Sequence, residues 1–348
     1  YTAIAVTKQF EGSPHIDTEN VAPFYGLALG DFTGGEICVE SDPLEVTQVE
    51  TRRRLGKIDG RYPHWVAPHT GGASSALMGA AGASKFGVPR GRLAEAYARA
   101  RARGARSFGI HGMTCANELD LARALQAARD LVATALEVER EAGITFDYVN
   151  VGGGLGIPYR PGEAPFDLAG WAAGLVGLLR EAFGGRQVRL VTELGRIVTG
   201  PHGVLVTTVV NRLDKGRAIV GLDASMSALM RPGFYENAWH HVTLPFAGKE
   251  RPRVLADVVG SLCENVDRFA VAREMPDTRE GEIVYIHDTG AHGAAMGFTY
   301  NGRLRPAELL LMPADGVLEI RRAETFSDYV ATVVEGGRPL EFTRHAAE

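Results

Sequence analysis

The chain has 348 residues, of which 45% are hydrophobic and 23% charged, and its formal net charge is -5. These values are ordinary for a globular protein with room for two domains, and the scattered basic residues argue against nucleic acid as a partner. Cys38, Cys115 and Cys263 are too widely spaced to indicate a disulfide framework or a zinc cluster, which favours a reducing compartment.

The sequence carries no membrane or export signal. No apolar run approaches the roughly 20 residues that a membrane-spanning helix requires, and the amino terminus lacks the charged and then apolar pattern of a signal peptide. We therefore expect a cytoplasmic protein without a membrane partner. Because the chain starts with Tyr1 inside a strand-like run, we expect it to be a truncated product.

Residues 1–73 contain strand-like runs and a candidate metal site. His15 and Asp17 are one residue apart, so in a strand their side chains point to the same face, and His64 follows in PHWV. Two histidines and one carboxylate form the ligand set of non-haem Fe(II). With GDFTGGE and GRYPHWV in order, this segment resembles part of the double-stranded β-helix of iron- and 2-oxoglutarate-dependent oxygenases. The resemblance implies Fe(II) at these residues, but the arginine motif that holds 2-oxoglutarate is missing after His69.

Helices and strands alternate between residues 88 and 196. The pattern predicts a helix that ends at Gly104, a helix that Asn117 caps and Gly143 ends, and a third helix near residue 175. The predicted strands are SFGIHG, ITFDYVNV and VRLVT. The expected apolar faces are Leu121, Leu125, Ala128, Val132 and Leu136 in the second helix, and Leu168, Trp171, Leu175 and Leu178 in the third. This alternation implies parallel strands with right-handed crossovers.

Distinctive residues follow each of these strands, in HGMTCAN, GGGLGIPY and ELGR. Loops at the carboxyl ends of the strands form the active face of a (β/α) barrel, and this placement favours such a barrel. A doubly wound open sheet would place ligands similarly and is the alternative. After residue 216 short β-branched runs separated by Gly, Pro and Asp predict an all-β domain. We therefore expect a segment at 1–73, a partial barrel at 74–215 and a β-domain at 216–348.

A glycine run, Gly152, Gly153, Gly154 and Gly156, comes directly after a predicted strand. Glycines let backbone N–H groups approach an anion closely, so the run is either a phosphate cradle or simply a tight turn. Glu193 and Arg196 follow the next strand, where an unpaired charge would be costly. They form either an internal ion pair or a ligand site, with Glu193 on a cationic ring nitrogen and Arg196 on an anion.

Three further groups of residues are candidates for binding or catalysis. Arg231 and Tyr235 are four residues apart and could bind one carboxylate together. Cys263 and Glu264, with Asp267 nearby, gather a thiol and two acids, and Tyr300 lies in a predicted loop. Each group taken alone would more often be structural than catalytic.

The order of the motifs resembles that of fold-type III pyridoxal-phosphate-dependent decarboxylases. The series SKFGV, VNVGGGLGIPYRP, TELGRIVTGPHG, GLDASMSALMRPGFY, DVVGSLCENVDRFA and HDTGAHGAAMGFTYNGRLRPAELLL covers about residues 74–335 and is closer to diaminopimelate than to ornithine decarboxylases. The resemblance implies an α/β plus all-β protein. Its parts are a partial alanine-racemase-like barrel that binds pyridoxal 5'-phosphate, a carboxy-terminal β-domain, and a homodimer whose sites are completed across the interface.

The resemblance also implies roles for the candidate residues. Those expected at the cofactor are His111, Gly152, Gly153, Gly154, Glu193 and Tyr300. Arg196, Arg231 and Tyr235 are expected to bind a substrate carboxylate, and Glu264 a distal ammonium group. Cys263 is expected near the reacting carbon of the partner subunit's site. The implied reaction is decarboxylation of an amino acid, meso-diaminopimelate, to L-lysine.

The sequence departs from the family in two places. The histidine motif HxH reads GIHGM, so that Met113 stands at its second position. No segment matches the strand that carries the lysine for Schiff-base formation; Lys8 lies in a different context and Lys85 is the other candidate. We therefore expect impaired activity and cofactor binding without a covalent link. The alternatives are an iron oxygenase remnant and an inactive module for cofactor binding or dimerisation.

Overall fold

A computed structural model describes residues 86–235, 238–313 and 316–337, and the backbone of seven short strands between residues 24 and 70. These strands are β1 Phe24–Gly26, β2 Thr33–Gly34, β3 Ile37–Asp42, β4 Glu45–Val49, β5 Gly56–Ile58, β6 His64–Val66 and β7 His69–Thr70. They form small antiparallel sheets with the orders β1-β5, β2-β7 and β4-β3-β6. His15, Asp17, Lys8 and Lys85 lie outside the described residues, and only the backbone of His64 is described.

The chain divides into two compact units. The first comprises Tyr1–Ala116, Ala122–Gly152 and Trp171–Thr192. The second comprises Asn117–Leu121, Gly153–Gly170 and Glu193–Glu348. The glycine run is therefore divided between the units after Gly152.

The predicted alternation of helices and strands is confirmed. Its elements are α1 Leu93–Ala102, β8 Gly109–His111, α2 Leu121–Ala142, β9 Tyr148–Asn150, α3 Leu168–Phe183 and β10 Arg189–Val191. The strands form a parallel sheet in the order β10-β9-β8. Because neighbouring strands in such a sheet run the same way, their carboxyl ends lie at one edge.

The buried face of α2 differs from the predicted one. It consists of Ala124, Ala128, Val132, Ala135, Val138 and Ala142, so Ala128 and Val132 were correct while Leu136 is 37% exposed. The helix carries two apolar stripes. We infer that the alanine-rich stripe is the buried one because small side chains let the helix lie close to its neighbours. Leu168 in α3 is also exposed, at 43%, whereas Trp171 and Leu175 are buried as expected.

The helix ends are predicted correctly and one helix start is not. Gly104 lies two residues after the end of α1, and Gly143 directly follows α2. Their φ values of +94° and +62° belong to the left-handed conformation that glycine adopts after a helix. Asn117 does not cap α2, which begins at Leu121. Instead its Oδ1 accepts a hydrogen bond from the N–H of Ile157 at 3.0 Å.

The second unit is built on a six-stranded sheet with the order β13-β16-β11-β12-β14-β15. The strands of this unit are β11 Val204–Asp214, β12 Ala218–Leu222, β13 Val242–Thr243, β14 Arg253–Val259, β15 Arg268–Pro276, β16 Ile283–His287, β17 Glu308–Met312 and β18 Gly316–Arg321. All pairs are antiparallel except β12 with β14, and β17 pairs with β18. Ala218, Val220 and Leu222 alternate with more exposed residues and are buried, as a strand with one core face requires.

This sheet begins earlier than residue 216, because β11 pairs with both β12 and β16. The described part of this unit also contains three single-turn helices, α4 Arg196–Thr199, α5 Arg231–Phe234 and α6 Phe326–Tyr329. Short 3-10 helices cover Arg90–Arg92, Gly200–His202, Ala294–Met296 and Tyr300–Gly302. No helix in the described part of the chain is long and apolar enough to cross a membrane.

Candidate functional site

The glycine loop in the second unit presents unused backbone donors. The neighbouring segment fixes the loop, because Glu118 N–H donates to Gly154 at 2.9 Å and Gly156 N–H donates to Glu118 at 2.8 Å. The N–H groups of Gly153 and Gly154 have no acceptor among the residues that the structure describes. Free N–H groups in successive glycines form a concave donor site for an anion. The loop therefore leaves two adjacent N–H groups available to an anion.

Gly153 has a second requirement, which is space. A Cβ atom at this position would lie 2.2 Å from the carbonyl oxygen of Glu193. Glu193 itself is exposed and follows β10, which ends at Val191. The expectation of a buried, costly charge at Glu193 is therefore wrong, because the strand stops two residues earlier. The backbone contact nevertheless brings this carboxylate-bearing residue against the glycine loop.

In the first unit Gly152 lies against Met113, the residue that stands at the second histidine position of the HxH motif. Its φ is +67°, and a Cβ at this position would lie 2.9 Å from Cβ of Met113. The N–H of Gly152 donates to Oδ1 of Asn150 at 2.9 Å. His111 ends β8 opposite Asn150 and is exposed. Met113 therefore packs on the glycine run, which a larger residue than glycine would prevent.

Arg231 is a buried cation of the second unit, with an exposed fraction of only 8%. Its NH1 group donates to the carbonyl oxygen of Trp239 at 3.1 Å and contacts Nε2 of His240 at 3.0 Å. Its Cζ lies 3.8 Å from the centre of the Tyr159 ring. Arg196 donates to the Tyr159 hydroxyl at 2.6 Å. The two arginines therefore meet around one tyrosine.

No carboxylate among the described residues pairs with Arg231. Burial, with a contribution from Arg196, lowers its pKa to about 10, so it remains a cation at neutral pH. Nδ1 of His292 is buried without a hydrogen-bond partner in the described structure. Burial first, and then Arg196 and Arg231, lower the pKa of His292. Within the described residues, a buried cation has no counter-ion, and a ring nitrogen whose pKa responds to that cation has no partner. An anionic ligand would complete this arrangement.

The second unit also contains four other candidate site residues, Tyr235, Cys263, Glu264 and Tyr300. The Tyr300 hydroxyl donates to Oε1 of Glu264 at 2.9 Å. This hydrogen bond and the charge of Glu264 raise the pKa of Tyr300, and Cys263 adds to the effect. Cys263 is an exposed free cysteine. Tyr235 is half-buried, and its N–H donates to the carbonyl of Arg231. The structure thus brings Cys263, Glu264 and Tyr300 together and keeps Tyr235 beside Arg231.

Asp267 is a structural acid. It is 2% exposed, and its carboxylate accepts hydrogen bonds from the N–H groups of Met226 at 2.7 Å and Leu262 at 2.9 Å. Burial raises its pKa despite these bonds. It therefore ties the loop of Cys263 to the loop that contains Met226.

Sequence reasoning missed Tyr159, His240 and His292. Tyr159 lies in GGGLGIPY and His292 in HDTGAHG, whereas His240 follows five residues after the end of GLDASMSALMRPGFY. The available signal was a histidine in a predominantly apolar β-domain, which usually needs a partner when it is buried. For the metal hypothesis, the described residues include no group of three or more potential ligands.

Comparison with known proteins identifies the family. The protein-family model for the "Pyridoxal-dependent decarboxylase, C-terminal sheet domain" matches residues 46–290 of this chain. Protein TabA of Pseudomonas amygdali pv. tabaci is 57% identical over 268 residues, which are 77% of this chain and 63% of that protein. The diaminopimelate decarboxylase of Methanothermobacter thermautotrophicus is 34% identical over 249 residues, which are 70% of this chain and 58% of the enzyme.

A solved structure agrees with these sequence matches. The diaminopimelate decarboxylase of Helicobacter pylori complexed with L-lysine has a TM-score of 0.64 and 28% identity, covering 73% of this chain and 61% of that one. The chain thus spans about 60% of the length of these relatives. The comparisons lend no support to an oxygenase-like segment, and the family match already begins at residue 46. The chain belongs to the pyridoxal-dependent decarboxylases, which are carboxy-lyases.

Proposed function

We propose that the protein decarboxylates an amino acid that carries a second carboxylate, and that this substrate is meso-diaminopimelate, which yields L-lysine. The observation that carries the proposal is Arg231, a buried cation without a carboxylate partner among the described residues. A substrate carboxylate would supply the missing counter-ion. Ornithine has no distal carboxylate, so it would leave the desolvated guanidinium unpaired.

The glycine loop and Glu193 are proposed to hold the cofactor. The N–H groups of Gly153 and Gly154 would bind the phosphate, with Gly152 shaping the loop. Glu193 would pair with the ring nitrogen and keep it protonated. When bound, pyridoxal phosphate supplies the electron sink that makes loss of CO₂ possible. His111 and Tyr300 are proposed as further cofactor contacts.

The remaining residues are proposed to bind and orient the substrate. Arg196, Arg231 and Tyr235 would bind the distal carboxylate, and Glu264 the distal ammonium group. Cys263 would hold a proton near the carbon that loses CO₂. We propose that this thiol serves the partner subunit's site in a homodimer. A barrel domain at 74–215 and a β-domain at 216–348 remain our proposed division, with the β11 pairing favouring a start of the sheet at Val204.

The test is decarboxylation by the protein loaded with pyridoxal phosphate. We expect lysine to form from meso-diaminopimelate at an impaired rate, because no segment matches the strand that carries the Schiff-base lysine. Ornithine should react at least about 30-fold more slowly still, and Arg231→Ala should lose most of this preference. Arg253→Ala is the control, because Arg253 is an exposed residue paired with Glu274. Equal turnover of both amino acids, or an Arg231→Ala variant as selective as its parent, would contradict the assignment. Cofactor binding without any turnover would favour a binding module instead.

A further inference from the structure

His240 is a fully buried histidine that contacts Arg231 directly. Its exposed fraction is 0%. Nε2 of the ring lies 3.0 Å from NH1 of Arg231, and Nδ1 lies 2.8 Å from the carbonyl oxygen of His287. Both ring nitrogens are therefore engaged by groups of the protein.

These two contacts determine which nitrogen carries the proton. A guanidinium has no acceptor, so Nε2 of His240 must accept the hydrogen bond from Arg231. A carbonyl oxygen has no proton to donate, so Nδ1 must carry the hydrogen that bonds to His287. Only the neutral ring with a proton on Nδ1 satisfies both contacts. Burial, acting with the charge of Arg231, also lowers the pKa of His240 to about 4 and favours the neutral ring.

We propose that His240 is a positioning residue, which holds the guanidinium of Arg231 by a neutral acceptor and leaves its other edge free for a substrate carboxylate. This inference rests on the proposed function of Arg231. NH1 is occupied by His240 and by the carbonyl of Trp239, whereas Nε and NH2 have no acceptor among the described residues. Nε and NH2 form one edge of the guanidinium, and two parallel N–H groups match the two oxygens of a carboxylate.

Tyr159 completes the orientation of Arg231. Its ring lies under the guanidinium, with 3.8 Å between the ring centre and Cζ, and meets the edge of the His240 ring at 5.0 Å. The guanidinium is thus held in its plane by His240 and against its face by Tyr159. A carboxylate in place of His240 would orient Arg231 as well, but it would neutralise the charge that the ligand needs. A neutral histidine avoids this loss.

Two substitutions test the two hydrogen bonds of His240 one at a time. Gln places its amide near the position of Nε2, so His240→Gln keeps an acceptor for Arg231. Asn places its amide near the position of Nδ1, so His240→Asn keeps the contact with His287 and loses the one with Arg231. We expect both His240→Asn and Arg231→Ala to raise KM for meso-diaminopimelate about tenfold, with little change in kcat. His240→Gln should stay near the parent.

A second measurement does not depend on activity. Nuclear magnetic resonance of isotope-labelled histidine, assigned by comparison with His240→Asn, reports which ring nitrogen carries the proton. We expect a proton on Nδ1 alone at neutral pH. A proton on Nε2 or a charged ring would overturn the proposal, as would a normal KM in His240→Asn when Arg231→Ala raises it. If Arg231→Ala leaves KM unchanged, or if no turnover occurs, the proposed function fails. The nuclear magnetic resonance result for His240 is then the only test of its positioning role.

Discussion

The neutral state of His240 predicts a specific loss of stability in mild acid. The perturbation is a fall in pH from about 7 to about 4, applied to the parent protein and to His240→Gln. In the unfolded chain an imidazole titrates near its ordinary pKa of 6.5, whereas burial and the charges of Arg231, Arg196 and Arg273 lower the folded value to about 4. Above the unfolded value the ring is neutral in both states and contributes no pH dependence.

The magnitude follows from the difference between the two pKa values. As the pH falls from 6.5 towards 4, the unfolded chain takes up a proton that the folded protein does not, so the free energy of unfolding decreases. Because one pKa unit corresponds to about 1.4 kcal/mol, the complete loss for His240 is about 3 kcal/mol. Once the pH is below the folded value, both states are protonated and the loss is complete.

The assay is urea unfolding of the parent and of His240→Gln at several pH values across this range. Carboxylates that titrate in both proteins cancel in the comparison, and the glutamine does not ionise. We expect the variant to lose about 3 kcal/mol less than the parent over the range. If the free energies of unfolding of the two proteins decrease in parallel, the ring is not buried in its neutral form and the reasoning is refuted.

Other parts of the second unit lead to three further predictions. Gly153→Ala should abolish pyridoxal-phosphate binding, measured by absorbance, because its Cβ would lie 2.2 Å from a carbonyl oxygen, whereas Gly195→Ala, with no atom within 4 Å, should bind normally. Glu264→Gln should lower the pKa of Tyr300 towards its ordinary value in an ultraviolet titration, because the carboxylate raises it; an unchanged pKa would contradict the hydrogen bond. Asp257→Ala should lower the free energy of unfolding in urea by about 2 kcal/mol, because it removes the carboxylate partner of two partly buried arginines, Arg217 and Arg268. A decrease below about 0.5 kcal/mol would show these ion pairs to be unimportant for stability.

Much of the fold could be predicted because local patterns encode it. Gly104 and Gly143 mark the ends of helices, since only residues without a Cβ readily adopt the conformation that follows a helix. The alternation of apolar runs predicted the parallel strands, and the order of motifs predicted the family. The glycine run was found by sequence, although its free N–H groups at Gly153 and Gly154 depend on what the adjacent chain does with its own hydrogen bonds.

The sequence by itself determined which elements form and which residues could bind ligands, because those properties depend on neighbours within a few positions along the chain. It did not determine the buried face of α2, where two apolar stripes competed, or the exposure of Glu193. Only the tertiary structure decided that Tyr159 and His240 enclose Arg231 and that no acid accompanies it among the described residues. Such contacts join residues from separate loops. The burial of a side chain and the identity of its partners therefore depend on tertiary packing, and a local sequence pattern does not predict them.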